Sequence, residues 1–273
     1  MKTEAEVVNG VKEWTKWWIV QRRKKLEDQL NETMSINPFM MPFLFDYHNL
    51  GSFEALAELV IASHLMTGHN TGFGKLIDEK ILPEVFGAQK LDKKFRAANP
   101  PFDRSCFDEV DHIITREDGS KEILSLKAGK WTIQLTMAVQ LNAAFKEIIS
   151  NHEDVVSDIA VGVFYGKKDG LTDKYDILRG INRGANHDVT DLQDKVHVYA
   201  GRDFWDWLSG GASDTQEWVM KGIMGALEEE KINETAVELL NRFKSGVVDK
   251  YGIHARDEDG NLDWLKFLKH ING

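Results

Sequence analysis

The feature that most constrains the fold is a pair of short apolar segments joined by a polar turn. The first segment, residues 107–114, contains Asp111, and the second, residues 122–127, ends on Lys127. An Asp-Gly pair stands between them, and such a pair flanked by apolar segments is a strong signal for a β-hairpin. We therefore expect two antiparallel strands that place a carboxylate and an ammonium group on neighbouring strands.

The composition is that of an ordinary globular protein, with 273 residues, 42% hydrophobic and 29% charged. The single cysteine excludes an intramolecular disulfide. The N-terminal residues lack the apolar segment of a secretory signal, and no apolar run approaches the ~20 residues that span a bilayer. We expect a cytoplasmic protein without membrane association. The net charge of −10 argues weakly against nucleic acid, but basic clusters at residues 22–25, 90–96 and 179–183 would suit a local DNA-binding cleft.

The order of predicted elements indicates a mixed α/β fold, with a central sheet and helical additions at both ends. Apolar periodicity predicts helices at 5–31, 53–66, 75–86, 131–150, 204–208, 215–230 and 234–251, and buried strands at 158–165 and 195–200. Turn-forming residues predict a loop at 67–74, and two prolines predict another at 35–45. The polar segment at 166–191 is too long for a simple connection, which suggests a functional insertion.

The hairpin carries groups suited to phosphodiester hydrolysis. Asp111 is a hard anionic ligand for Mg²⁺, and the backbone carbonyl of Leu126 offers a second oxygen. Lys127 would hold the attacking water or stabilise negative charge, and it needs a depressed pKa to act as a base. Glu79 and Gln140, on the flanking helices, are candidate accessory groups.

The spacing from Asp111 to Ser125-Leu126-Lys127 does not by itself identify a nuclease. Two other functions are compatible with it. One is a hydrolase with Ser125 as nucleophile and Lys127 as base, although it lacks an oxyanion hole and gives Asp111 no role. The other is a catalytically silent DNA-binding protein that keeps the fold. Metal-dependent cleavage separates the latter from a nuclease.

Several segments resemble type II restriction endonucleases of the PD-(D/E)xK superfamily, and more closely the family that cuts RGGNCCY. The resemblance runs from about residue 10 to beyond residue 220, and it is carried by residues 32–40, 65–82, 125–135 and 179–182. The family's catalytic Asp and Lys fall on Asp111 and Lys127. Ser125 replaces the acidic residue of the general motif, which is similar to that subfamily's own pattern and does not imply an inactive enzyme.

The resemblance implies a PD-(D/E)xK core with helical N- and C-terminal additions, a homodimer, Mg²⁺ as cofactor and double-strand cleavage leaving 5′ overhangs. It also implies a companion DNA methyltransferase, without a physical complex. We expect the catalytic core at 68–202, with a DNA-contacting insertion at 166–191. The helical regions 1–67 and 203–273, rich in tryptophan, are expected to form the dimer contacts.

Side chains that would contact DNA are predicted from their hydrogen-bonding chemistry, since Arg and Lys suit guanine edges and cations suit phosphates. The predicted phosphate contacts are Lys75, Arg96 and Lys130, and His69 and Asn70 are further candidates for contacts to the DNA backbone. The predicted base contacts are Arg179, Asn182, Arg183, Asn186 and His187.

Overall fold

The computed structural model describes residues 2–29, 36–129, 133–182, 184 and 186–273. Two candidate DNA-binding residues, Lys130 and Arg183, lie outside the described residues, as do parts of two segments that carry the resemblance (residues 32–35 and 130–132). The chain divides into two compact units. The sheet unit comprises Met1–Thr15 and Gly74–Gly225, and the helical unit comprises Lys16–Phe73 and Ala226–Gly273.

The sheet unit contains a five-stranded mixed sheet, which confirms the α/β class. Its strands are β1 (Gln89–Lys90), β2 (His112–Thr115), β3 (Lys121–Lys127), β4 (Asp158–Val163) and β5 (Val196–Ala200), in that spatial order. The pairs β1–β2 and β2–β3 are antiparallel, whereas β3–β4 and β4–β5 are parallel. The hairpin is confirmed, because His112 of β2 pairs with Leu124 of β3. The first strand is shorter than expected, since β2 begins at His112 and Asp111 lies just before it.

Helices fill most of the remaining described chain. They are α1 (Glu4–Gln29), α2 (Met40–Tyr47), α3 (Phe53–Leu76), α4 (Lys93–Ala98), α5 (Leu135–Asn151), α6 (Lys174–Ile177), α7 (Arg202–Leu208), α8 (Thr215–Glu230), α9 (Ile232–Val247) and α10 (Trp264–Asn272). Two π-helical segments continue α3 and α9, at Ile77–Val85 and Val248–Gly252. Short 3₁₀ turns occur at Ser105–Phe107, Lys168–Gly170 and Ile253–Ala255.

The core of the sheet unit forms where α5 crosses between the parallel strands β3 and β4. Ile123, Leu124 and Ser125 of β3 are all buried, so this strand is covered on both faces. Phe145 of α5 and Val161 of β4 are fully buried in the same apolar cluster as Ile123. Burying each such side chain contributes about 1.5–3 kcal/mol. The strand that ends at Lys127 therefore has a rigid support.

The predicted loop at residues 67–74 is wrong, because this segment continues α3 without a break. Two of its three glycines, Gly68 and Gly72, lie four residues apart on one helix face, and α1 packs closely against that face. A Cβ atom on Gly68 would lie 2.3 Å from Nη2 of Arg22, and one on Gly72 would lie 3.2 Å from Nε1 of Trp18. Close helix packing, rather than a turn, accounts for these glycines.

The expectation of an irregular segment at 35–45 is also wrong in part, because α2 begins at Met40. Pro42 occupies the first turn of this helix, where the missing backbone N–H has no intrahelical acceptor and costs little. Residue 35 lies outside the described residues.

The observed division of the chain differs from the expected one, since residues 203–225 belong to the sheet unit. Trp205 donates its indole N–H to the carbonyl oxygen of Phe164 at 2.9 Å. Trp207 donates to Oε2 of Glu122 at 2.6 Å. These tryptophans therefore anchor α7 against the sheet. Within the described residues, no helix is both long and apolar enough to cross a membrane.

Candidate active site

Asp111 immediately precedes β2 and is held by hydrogen bonds on two sides. Its backbone N–H donates to Leu124 O at 2.8 Å, and its backbone oxygen accepts from Leu91 N at 2.8 Å. Its side-chain Oδ2 accepts a further bond from the backbone N–H of Leu126 at 2.6 Å. The hairpin thus fixes both the backbone and the carboxylate of this residue.

The environment of Asp111 disfavours its negative charge. Burial raises the pKa of its carboxyl group from 3.8 to about 6, against the lowering effects of the Lys127 charge and the Leu126 N–H. The charge of Asp78 raises this pKa further, and that of Lys90 lowers it. The residue therefore belongs to a group of four interacting charges, two carboxylates and two ammonium groups.

Asp78 comes from the π-helical segment Ile77–Val85, which packs beside the hairpin. Its Oδ2 forms an ion pair with Nζ of Lys90, on β1. Its Oδ1 is buried and has no hydrogen-bond partner among the described residues. His112 Nε2 lies 3.5 Å from this Oδ1 and forms its hydrogen bond instead with the backbone oxygen of Asp78, at 2.9 Å. Burial lowers the pKa of His112.

Ser125 is fully buried, and its hydroxyl donates to the backbone oxygen of Glu109 at 2.7 Å. This hydroxyl therefore holds the segment before β2 against β3. A nucleophile must reach its substrate, and a serine with no exposed surface does not. The geometry disfavours the Ser/Lys hydrolase and gives Ser125 a structural part beside Asp111.

Lys127 is the last residue of β3, paired in register with Val163 of β4. Two residues later, the carbonyl oxygen of Gly129 accepts a hydrogen bond from the hydroxyl of Tyr175 at 2.8 Å. Tyr175 is buried and lies on α6, inside the segment 166–191 that was predicted as an insertion. This bond links the insertion directly to the end of the strand that carries Lys127.

A second anchor of the insertion is Asn142 of α5, which is buried. Its Nδ2 donates to the backbone oxygens of Leu178 at 3.1 Å and Thr190 at 2.8 Å. Its Oδ1 accepts from Thr190 N at 2.8 Å. Because this amide joins two separate parts of the insertion to one helix, the base of the insertion is well defined.

The candidate base-reading residues fall into two groups. Asn182 and His187 close a short loop, in which Asn182 Oδ1 accepts from His187 N at 3.0 Å, and Asn186 is exposed on it. Arg179 is half-buried, and its Nε donates to Val196 O at 3.0 Å. Arg179 is thus partly engaged in holding the insertion to β5, and the Asn182 amide is bonded to the backbone of His187, whereas Asn186 is exposed.

The candidate phosphate contacts also differ in availability. Lys75 is exposed at the end of α3. Arg96 donates from Nε to Phe102 O at 2.8 Å and from Nη2 to Arg104 O at 3.1 Å, and it pairs with Asp108. The guanidinium of Arg96 is therefore committed to the loop that precedes Asp111.

His69 lies in the helical unit, where its Nδ1 accepts from Nε of Arg22 at 3.2 Å. Burial and the charge of Arg22 lower the pKa of His69. Asn70 beside it is exposed.

The accessory groups predicted from the sequence, Glu79 and Gln140, are both exposed. The acidic residue that interacts with Asp111 is Asp78, which the sequence prediction passed over. A signal was available, because Asp78 precedes the buried residues Ile81 and Leu82 by three and four positions, the spacing of one helix face.

Within the part of the chain that the structure describes, no three His, Cys, Asp or Glu side chains are grouped to hold a metal ion. Mg²⁺ requires less, since it keeps several water ligands and often binds through one or two carboxylates. Asp111 and Asp78 supply two carboxylates, and the buried, unpartnered Oδ1 of Asp78 is an oxygen that a cation would satisfy. The residues present fit a Mg²⁺ ion held mainly by water.

Comparison of the sequence with protein-family models and with curated proteins gave no match.

Proposed function

We propose that this protein is a Mg²⁺-dependent, type II site-specific endonuclease that cleaves double-stranded DNA. The observation that supports this most directly is the arrangement around Asp111. A half-buried carboxylate, fixed by the Leu126 N–H, interacts with a second carboxylate on Asp78 and with the ammonium of Lys127. Paired anionic ligands beside a lysine suit the hydrolysis of a phosphodiester.

The chain's own residues would act as follows. Asp111 is ionised above its pKa of about 6, and with Asp78 it would hold the metal. When bound, Mg²⁺ would polarise the phosphate and acidify water. Lys127, at the end of β3, would hold the attacking water or neutralise charge on the phosphate. Ser125 would maintain the spacing between the strands through its bond to Glu109 O.

The finer assignments belong to the same proposal. We propose RGGNCCY as the recognition sequence, cleavage with 5′ overhangs, a homodimer, a cytoplasmic location and a companion methyltransferase, all on the resemblance of the sequence. A palindromic site suits a twofold-symmetric protein, because each half-site meets the same surface. The exposure of Asn186, between the bonded residues Asn182 and His187, supports a base-reading part for the insertion.

The decisive experiment incubates the purified protein with plasmids that contain or lack RGGNCCY, in Mg²⁺ or in EDTA. We expect discrete Mg²⁺-dependent fragments that end within those sites. Asp111→Ala and Lys127→Ala should abolish them, whereas Gln140→Ala should cut normally. Cleavage that persists in the Asp111 and Lys127 variants would place the chemistry elsewhere.

The small number of grouped ligands among the described residues supports a second candidate, a DNA-binding protein of the same fold that does not cut. In the same plasmid experiment, that protein would retard RGGNCCY-containing DNA in a gel without producing fragments at any Mg²⁺ concentration.

A further inference from the structure

Four charged residues interact around the candidate site, Asp111, Asp78, Lys127 and Lys90, and the proposed reaction assigns no role to Lys90. It lies on β1, in register with His112 of β2, and its ammonium pairs with Oδ2 of Asp78. The side chains of Lys90 and Asp78 are only 32% and 26% exposed, so water screens this pair less than it screens a surface ion pair.

The four charges balance one another in the absence of a metal. Lys90 forms an ion pair with Asp78, and the charge of Lys127 favours the ionised form of Asp111. A divalent cation that approached the two carboxylates would meet a cluster whose formal charge is already neutral. Removing one ammonium would leave one net negative charge and strengthen the attraction for a cation.

We propose that the ammonium of Lys90 occupies the cation-binding side of Asp78 and must leave it before a divalent ion binds. The proposal rests on the function proposed above, since it concerns the same pair of carboxylates. Lys90 would thereby weaken the affinity of the metal-free protein for Mg²⁺. Its partial exposure gives the released ammonium a path into solvent.

Two properties of the site support this assignment. Lys90 and Lys127 both lower the pKa of Asp111, so both lie close enough to favour its ionised form. Of these two lysines, Lys90 forms an ion pair with Asp78, the carboxylate that has a buried oxygen without a hydrogen-bond partner among the described residues. A divalent ion that bound this carboxylate would satisfy Oδ1 and would repel the ammonium held at Oδ2.

The test measures Mg²⁺ binding through protein stability, without DNA and without cleavage. The free energy of unfolding is determined in denaturant at pH 8.5 over a series of Mg²⁺ concentrations, because a ligand at free concentration c that binds only the folded state raises this free energy by RT ln(1 + c/Kd). We expect the Kd for Mg²⁺ obtained from this dependence to be roughly tenfold lower for Lys90→Met than for the wild type. Lys90→Gln should shift in the same direction.

The controls separate charge from general disturbance. Lys90→Arg keeps the charge and should keep the wild-type affinity, and Lys93→Met removes an exposed lysine of α4 and should change nothing. Equal or weaker Mg²⁺ binding in both neutral Lys90 variants would overturn the inference. If the wild type responds to Mg²⁺ and Asp111→Asn does not, the proposed metal site stands even where the Lys90 variants overturn the inference about Lys90. If neither the wild type nor the Lys90 variants respond, the inference and the proposed metal site fail together.

Discussion

The carboxylate of Asp111 accepts a 2.6 Å hydrogen bond from the backbone N–H of Leu126, across the hairpin. The bond joins Asp111 to Leu126, fifteen positions further along the chain, on the strand that ends on Lys127. It opposes, without cancelling, the effect of burial on the pKa of Asp111. The ionised carboxylate of Asp111 is therefore fixed in position to bind a cation, and its burial lowers the stability of the folded protein.

That cost gives a first prediction. The folded-state pKa of Asp111 is raised from 3.8 to about 6, so the folded protein favours the protonated carboxyl group. The associated stabilisation is complete below pH 3.8 and is lost as the pH rises through about 6, a loss of about 3 kcal/mol. In EDTA at pH 8, Asp111→Asn should therefore unfold with a free energy higher by up to about 3 kcal/mol.

Denaturant titrations at pH 8 and pH 4.5 would check this. The gain should shrink at the lower pH, where the wild-type carboxyl group is itself protonated. Asp103→Asn, at an exposed position nearby in the chain, serves as control. A gain of the same size at both pH values would show that the charge of Asp111 is not its cause.

The same pKa predicts the acid limb of the cleavage reaction. Protonation removes the anionic ligand, so the cleavage rate at limiting Mg²⁺ should fall about tenfold per pH unit below about 6. Because a bound cation favours the ionised carboxylate, this limb should move to lower pH as Mg²⁺ is raised. A profile whose midpoint does not depend on Mg²⁺ would assign the limb to another group.

Asp78 and Glu79 are adjacent acidic residues that the structure distinguishes. Asp78 interacts with Asp111, whereas Glu79 is exposed. We expect Asp78→Asn to raise the Mg²⁺ concentration required for half-maximal cleavage by roughly tenfold or more, because one anionic ligand is lost. Glu79→Gln should cut like the wild type. Cleavage assays of both variants across a Mg²⁺ series test this. A higher Mg²⁺ requirement in Glu79→Gln, but not in Asp78→Asn, would contradict the placement of Asp78.

Tyr175 connects the insertion to the residues that follow Lys127, through its bond to Gly129 O. Removing the hydroxyl in Tyr175→Phe leaves a buried carbonyl without that donor, and such a loss costs about 1–3 kcal/mol. We expect a lower kcat for cognate DNA, with the Kd for DNA little changed, because Lys127 is less well positioned. Tyr251→Phe, at an equally buried tyrosine of the helical unit, should leave kcat unchanged. Equal slowing by both variants would indicate general loosening.

Gly162 allows α7 to approach the sheet. A Cβ atom at this position would lie 2.5 Å from the ring of Phe204 and 2.8 Å from Leu124. Gly162→Ala should lower the free energy of unfolding by about 1–3 kcal/mol, the usual cost of overpacking a core. Phe204→Leu combined with it should recover part of that loss. Thermal denaturation of the single and double variants tests this, and an unaffected Gly162→Ala would contradict the close packing.

The mixed α/β class, the hairpin and the strands β4 and β5 were predictable from the sequence, because alternation, apolar runs and the Asp-Gly turn are local patterns. The loop expected at residues 67–74 was wrong for a non-local reason. Two of its glycines, Gly68 and Gly72, make room for Arg22 and Trp18 of another helix, and no local pattern shows that partner.

The candidate site shows the same limit. The sequence by itself determined Asp111, Leu126 and Lys127 as one group, since register within a hairpin follows from its turn. Only the tertiary structure decided that Asp78 and Lys90 complete the charge cluster, that Arg96 is committed to a loop, and that Tyr175 supports Gly129. Those relationships depend on how separate elements pack, and packing is set by contacts between residues far apart in the chain.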